Sequence, residues 1–280
     1  MGPNTVRLRL TRLLISALFA GLALGTIKAD AQTDYYNTDA GRPLQIEDAY
    51  ATERYAFELK LASVKLERAA GGRYNFGIEP EIAYGILPRT HIEIGLPIAY
   101  QDMGNRSSRS GIAGLELSAM HNLNAETRTL PALGIRGDLL FPVGALGPDR
   151  TYASLKGMAT RTLSVARFHI NGQYTFGDEP TTESGGIEAA RWLGGIAIDK
   201  TLPLKSLLLA AEFYGRRPLH ENEDIDYNVG AGFRYQTSPN FLLDAGLARR
   251  LTGPERGWAF TFGTAYAFAV RSLMPGRASR

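Results

Sequence analysis

Trp258-Ala259-Phe260-Thr261-Phe262-Gly263-Thr264-Ala265-Tyr266-Ala267-Phe268-Ala269-Val270 decides the fold. One parity is large or apolar (Trp258, Phe260, Phe262, Tyr266, Phe268, Val270), with Thr264 the single gap. The other parity is small (Ala259, Thr261, Gly263, Ala265, Ala267, Ala269). A period of two is a strand. In a soluble sheet with one wet face, the residues opposite the apolar side are mostly charged or long and polar. Aromatics on one face and small residues on the other suit a strand whose outer face meets lipid and headgroups. The stretch is read as the closing strand of an outer-membrane β-barrel.

Working outward, alternation recurs from Arg54 in segments about as long as a tilted membrane strand. In 74–86, Tyr74, Phe76, Ile78, Ile82, Tyr84 and Ile86 oppose Asn75, Gly77, Glu79, Glu81, Ala83 and Gly85. In 91–101, Ile92, Ile94, Leu96, Ile98 and Tyr100 oppose Glu93, Gly95, Pro97 and Ala99. The segment 55–66 opens the set. Weaker repeats follow at 112–123, 130–143, 152–163, 167–176, 190–201, 207–216, 226–236 and 241–251. With the closing strand this predicts a twelve-stranded antiparallel up-and-down barrel over 54–270. The segment 152–163 fits least, because neither parity is consistently apolar. Pro80 and Pro97 fall inside strands two and three, where local bulges are expected. Connections alternate between tight turns, such as Leu87-Pro88-Arg89-Thr90, and a set that is longer on average, such as 177–187 and 217–225. That asymmetry puts both chain ends in the periplasm and the longer loops outside.

Residues 1–31 read as a secretory signal peptide. Arg7, Arg9 and Arg12 form its basic start, 13–25 its apolar run, and Ala29-Asp30-Ala31 its cleavage site. Removing it takes four of the 31 basic residues and one of the 28 acidic ones, leaving 27 of each. The formal charge of +3 is therefore a targeting feature and is no argument for a nucleic-acid partner. The chain has no cysteine, which excludes disulfides and thiolate sites. Beyond the signal no apolar run is long enough for a membrane helix, so a closed barrel is the remaining way to span a bilayer. The polar stretch 32–53 is read as a periplasmic lead-in or partial plug, with a disordered leader as the alternative. Residues 271–280 are read as a periplasmic tail.

Charged residues on the inward parity are the candidate functional set: Glu58, Lys60, Glu79, Glu81, Glu93, Glu116, Arg136, Asp138, Arg191, Asp199, Glu212, Arg234, Asp244 and Arg250. Opposed charges of this kind either line a narrow polar channel or pair and block it. Barrel enzymes use Ser/His or Asp/His groups. Here His91, His121, His169 and His220 share no strand and show no metal-ligand spacing, and His169 reads as lumen lining beside Asn171 and Gln173. No catalytic residue, cofactor or metal site is predicted. The acidic run from Glu221 to Asp226 lacks calcium-loop spacing and reads as a solvated outer loop.

Thr261-x-Gly263-x-x-Tyr266-x-Phe268 resembles the C-terminal assembly signal of outer-membrane proteins, with twelve residues following the last aromatic. That resemblance implies recognition by the barrel assembly machinery. The stretch from Leu44 to Tyr50 ahead of Tyr55-Ala56-Phe57-Glu58, then Gly77-Ile78-Glu79-Pro80-Glu81 and Gly95-Leu96-Pro97-Ile98, resembles the outer-membrane transporter family linked to the meta-cleavage pathway of phenol degradation. The family implies passive passage of small aromatic or other hydrophobic compounds. The expected partners are outer-membrane lipid, the assembly machinery and a small solute; the rival is a non-conducting structural or surface-interaction barrel.

Overall fold

The computed structural model describes residues 37–39, 41–68, 73–104, 107–180, 189–219, 224–252, 256–270 and 273–274. The predicted signal peptide, residues 32–36, most of the tail, His220 and residues 221–223 of the acidic run lie outside the described residues.

Alternation becomes strand wherever it was read. The strands are β1 (Ala56–Arg68), β2 (Tyr74–Ile78), β3 (Glu81–Leu87), β4 (Thr90–Gly95), β5 (Ile98–Gly104), β6 (Ser107–Ile112), β7 (Leu115–Asn124), β8 (Ala132–Phe141), β9 (Tyr152–Thr162), β10 (Arg167–Phe176), β11 (Ala190–Leu202), β12 (Leu207–Pro218), β13 (Asp226–Ser238), β14 (Phe241–Arg250) and β15 (Trp258–Ala269). Three passes across the wall are each made of two strands: β2 with β3, β4 with β5, and β6 with β7. Fifteen strands thus make twelve antiparallel passes, and β15 pairs back onto β1 to close the barrel.

The split passes correct the expectation of bulges. Pro80 and Pro97 each interrupt their strand outright. A proline has no N–H for the ladder, and the neighbouring passes adapt by bonding across the break. Leu96 N–H donates to Pro80 O at 3.0 Å, and Ala113 N–H donates to Pro97 O at 2.8 Å. The next pass yields in turn at Gly114, whose φ of +137° suits glycine. Above the breaks β6 pairs with β5, and the chain after β8 folds back to it through Leu146 N–H to Ile112 O at 3.0 Å.

The closing seam shows why register is so well specified. Phe57 stands opposite both Phe268 and Tyr84, and the rings stack at 5.1 and 4.4 Å between centroids. A bulge between Leu61 and Val64 exchanges the parity of β1, so that Leu59 and Leu61 below it and Leu66 above it all face outward. Around the wall the outward positions are large, apolar and exposed, as at Ile94, Ile170, Ile196, Phe213 and Leu247. On a water-soluble protein such a belt would be an anomaly; here it is the lipid face. The ladder closes from β15 onto β1, with β6 left to pair with a strand on one side only, and this is a bacterial outer-membrane barrel.

Phe57→Ala removes both stacked contacts of the seam and should destabilise the barrel by about 1–3 kcal/mol. The check is the temperature at which the folded band is lost in a gel-shift assay. Phe260→Ala, on the same face but with no stacked ring among the described residues, should lower it less.

Candidate functional site

Residues 37–39 and 41–54 lie inside the barrel, and from Arg42 onward they run around its inner wall. Arg42 bonds Asp244 on β14, and Pro43 sits against Gly232 on β13 and Gly246 on β14. The N–H groups of Gln45 and Ile46 donate to Glu212 on β12 at 2.8 and 2.9 Å. Glu47 is held in both directions by Asn171 on β10: its N–H donates to Oδ1 at 2.9 Å and its carbonyl accepts from Nδ2 at 2.8 Å. Ala49 N–H donates to Thr160 on β9, and its carbonyl accepts from Asn122 on β7. Thr52 N–H donates to His91 Nδ1 on β4 at 3.0 Å. Tyr55 N–H then reaches Gly85 O on β3, and the chain enters β1.

The wall makes room for this path with glycine. A Cβ on Gly246 would overlap Pro43 O, one on Gly263 would overlap the Arg42 guanidinium, and one on Gly85 would overlap Glu53 O. The small inward parity of the closing strand is thus partly a docking surface. Thr261, also inward, donates to Pro43 O at 3.3 Å. Leu44 and Ile46 supply the apolar part of the contact, buried among Leu193, Ala197, Leu208 and Ala210.

Four charged residues of the segment, Asp39, Arg42, Glu47 and Asp48, are matched to the wall. Asp39 takes Arg234 at 2.7 Å and Lys60 at 3.6 Å; Arg42 takes Asp244 at 2.9 Å. Glu47 bridges Lys156 at 2.6 Å and Arg136 at 3.6 Å. Asp48 lies 3.8 Å from Arg167, which is bound more closely to Asp199 at 2.7 Å. Burial pushes the Asp48 carboxyl up to about 6 against the pull of Arg167 and His169. Burial acts the same way on Asp39, but Lys60, Arg234 and Arg42 together hold it below the ordinary carboxylate range.

Most of the predicted inward set meets in this centre. Lys60 also binds Glu93 at 2.6 Å and Glu81 at 2.9 Å, and Arg136 binds Glu93, Asp138 and Glu116 at 3.1, 2.6 and 3.4 Å. Glu58 lines the cavity beside Asp39 and Lys60. Glu79 lies between β2 and β3, beside Gly95. Two predicted residues lie apart, near the rim where β1 ends. Arg191 donates to the carbonyls of Thr175 and Gly177, and Arg250 shares Asp226 with Arg216. Sequence reasoning missed Asp39, Arg42, Glu47, Asp48, Lys156 and Arg167. The first four sit in a stretch without period; Lys156 sits on the strand whose parity was least clear.

Thr160, His169 and Asp199 form a hydroxyl–imidazole–carboxylate chain, Oγ1 to Nδ1 at 3.0 Å and Nε2 to Oδ2 at 2.7 Å. Thr160 is 0% exposed and its oxygen already accepts the Ala49 N–H. The chain moors the segment. The cavity left beside the segment, lined by Asp39, Glu58, Lys60, His91 and Arg136, is about 30 Å³. That is room for water and not for a phenol-sized solute.

Residues 71–268 match the model of the family described as MetA-pathway of phenol degradation. The chain belongs to that family. Among solved structures it is similar to an outer-membrane channel from Pseudomonas putida F1, at 13% identity and a TM-score of 0.52, covering 82% of this chain and 100% of that one. It is also similar to the KdgM porin, at 11% identity and a TM-score of 0.50, covering 76% of this chain and 99% of that one. At such identities the likeness concerns the fold. No curated protein sequence matches the chain.

Glu47→Gln deprives Lys156 and Arg136 of a buried carboxylate and should weaken docking of the segment by about 3–5 kcal/mol. Gly246→Val should expel it by overlap. In both variants limited proteolysis should cut within 37–53 while the barrel core stays resistant; protection equal to wild type would contradict the docking described.

Proposed function

We propose that the protein is an outer-membrane channel for passive passage of small solutes, opened by displacement of residues 37–54 from the lumen. The observation that carries this is how the centre is closed. The stopper is a segment preceding the first strand, held mainly by side-chain contacts and ion pairs, so it can leave without breaking the main ladders of the wall. The wall behind it is polar and charged on nearly every pass, an expensive lining unless it meets water or a matched partner.

In this reading the short turns and both chain ends face the periplasm and the longer loops face outward, following the usual barrel asymmetry. Family membership supports small aromatic or other hydrophobic compounds as solutes, with selectivity set by the width and charge of the freed lumen. No chemical step and no cofactor are involved. Thr261, Gly263, Tyr266 and Phe268 would serve the assembly machinery in the unfolded chain and the seam and segment contacts in the folded one. The outward belt meets outer-membrane lipid.

The rival reading, a closed structural or surface-interaction barrel, draws on the same ion pairs, which fill the centre. Planar-bilayer recordings decide between them. The mature chain should conduct weakly and intermittently, and the chain lacking residues 32–53 should conduct steadily with several-fold larger unit conductance. Absence of conductance from both forms contradicts the channel.

A further inference from the structure

Outside the lumen, three arginines, Arg68, Arg249 and Arg256, gather at one rim without the ion pairs seen within. Arg68 at the end of β1 stands opposite Trp258 on β15, and Arg249 on β14 stands opposite the same Trp258. Directly opposed residues of antiparallel strands share a face. Trp258 is exposed on the parity of Phe260 and Phe262, so both arginines lie on the lipid face. Arg249 sits 4.9 Å from the Trp258 ring centre, and Arg68 sits 5.7 Å from that of Tyr74. Arg256, in the following loop, and Arg250 complete a recess of about 290 Å³ with no acidic residue among the described residues of its lining. Arg250 reaches inward to Asp226; Arg68, Arg249 and Arg256 have no ion pair among the described residues.

The row beneath is entirely apolar. Two residues down each strand, Leu66, Phe260 and Leu247 face each other in the same order across β1, β15 and β14, all exposed. A step of two residues is about 6.6 Å along a strand. The surface therefore presents arginines held by aromatic rings directly above a hydrocarbon-matched strip, at the rim where lipid headgroups lie. Guanidinium groups bind phosphate oxygens two at a time.

We propose that this recess is a binding site for a phosphorylated lipid of the outer leaflet, its phosphate among Arg68, Arg249 and Arg256 and its acyl chains along Leu66, Phe260 and Leu247. The site rests on the orientation given under Proposed function, in which this rim faces outward. It straddles the closing strand, so bound lipid would bridge β14, β15 and β1 from outside.

The test uses the folded mature chain in detergent and the variant Arg68→Gln/Arg249→Gln/Arg256→Gln, whose substitutions touch no lumen contact. Binding is measured for diphosphorylated lipid A, for the same lipid with its phosphates removed, and for inorganic phosphate. The expected result is that the triple variant binds lipid A about tenfold or more weakly than wild type. The dephosphorylated lipid should bind both proteins equally weakly, and inorganic phosphate should fail to compete. Equal lipid A binding by the two proteins, or full competition by inorganic phosphate, overturns the proposal. Orientation is read separately by labelling Arg256→Cys on intact cells with a membrane-impermeant maleimide. Labelling supports the outward rim; its absence, with binding in detergent intact, overturns the orientation and with it the outer-leaflet source.

Discussion

Buried charge must be matched, and the centre of this barrel is arranged around that requirement. Glu47 shows it most clearly: one carboxylate, brought in by a segment that belongs to no strand, sits between Lys156 and Arg136. Removing it would leave Lys156 without its buried carboxylate and take one of several from Arg136, and removing both cations would strand the acid. Arg42 with Asp244 and Asp39 with Arg234 repeat the arrangement on the other side of the lumen. Wall and segment each carry charges that the other neutralises. The pairs therefore specify where the segment sits more than they stabilise the barrel. Water admitted to the lumen could solvate both sides and release them.

The wall serves two different neighbours, lipid and segment, through the same alternation. Large outward residues meet lipid. Inward residues are small where the segment passes and charged or amide-bearing where they hold it. Gly263 and Thr261 on the closing strand belong to the first inward kind, while Tyr266 and Phe268 point outward beside Phe57. One strand thus closes the barrel, faces the bilayer and cradles Arg42 and Pro43.

The barrel was legible because its evidence is local and repeated. Twelve alternating stretches were visible one at a time, and the pairing of 258–270 with the first strand followed from closure. The inner segment was not legible to the same degree. Its contacts, such as Arg42 with Asp244 or Glu47 with Asn171, join residues more than a hundred positions apart and leave no period behind. The poor parity of β9 follows from which residues it turns inward. Tyr152 and Met158 turn inward, Met158 against Ala49, and small Gly157 turns outward, which inverts the expected pattern. Pro80 and Pro97 were visible as missing ladder donors, but their effect, a break passed to the neighbouring pass, depends on which backbone lies alongside. The inward charges were identified by residue; that so many meet in one paired network could not be read without the segment's path.

The central claim, that the segment closes the lumen by docking and opens it by leaving, is tested most directly by tethering it. A Cβ at Gly134 would lie 3.3 Å from Ala49 Cα, so the two positions are in direct contact, and the chain has no cysteine to interfere. Single-channel recordings of Ala49→Cys/Gly134→Cys should be silent when oxidised and should gain openings on reduction. Equal conductance in the two redox states, with the crosslink verified, would contradict the account.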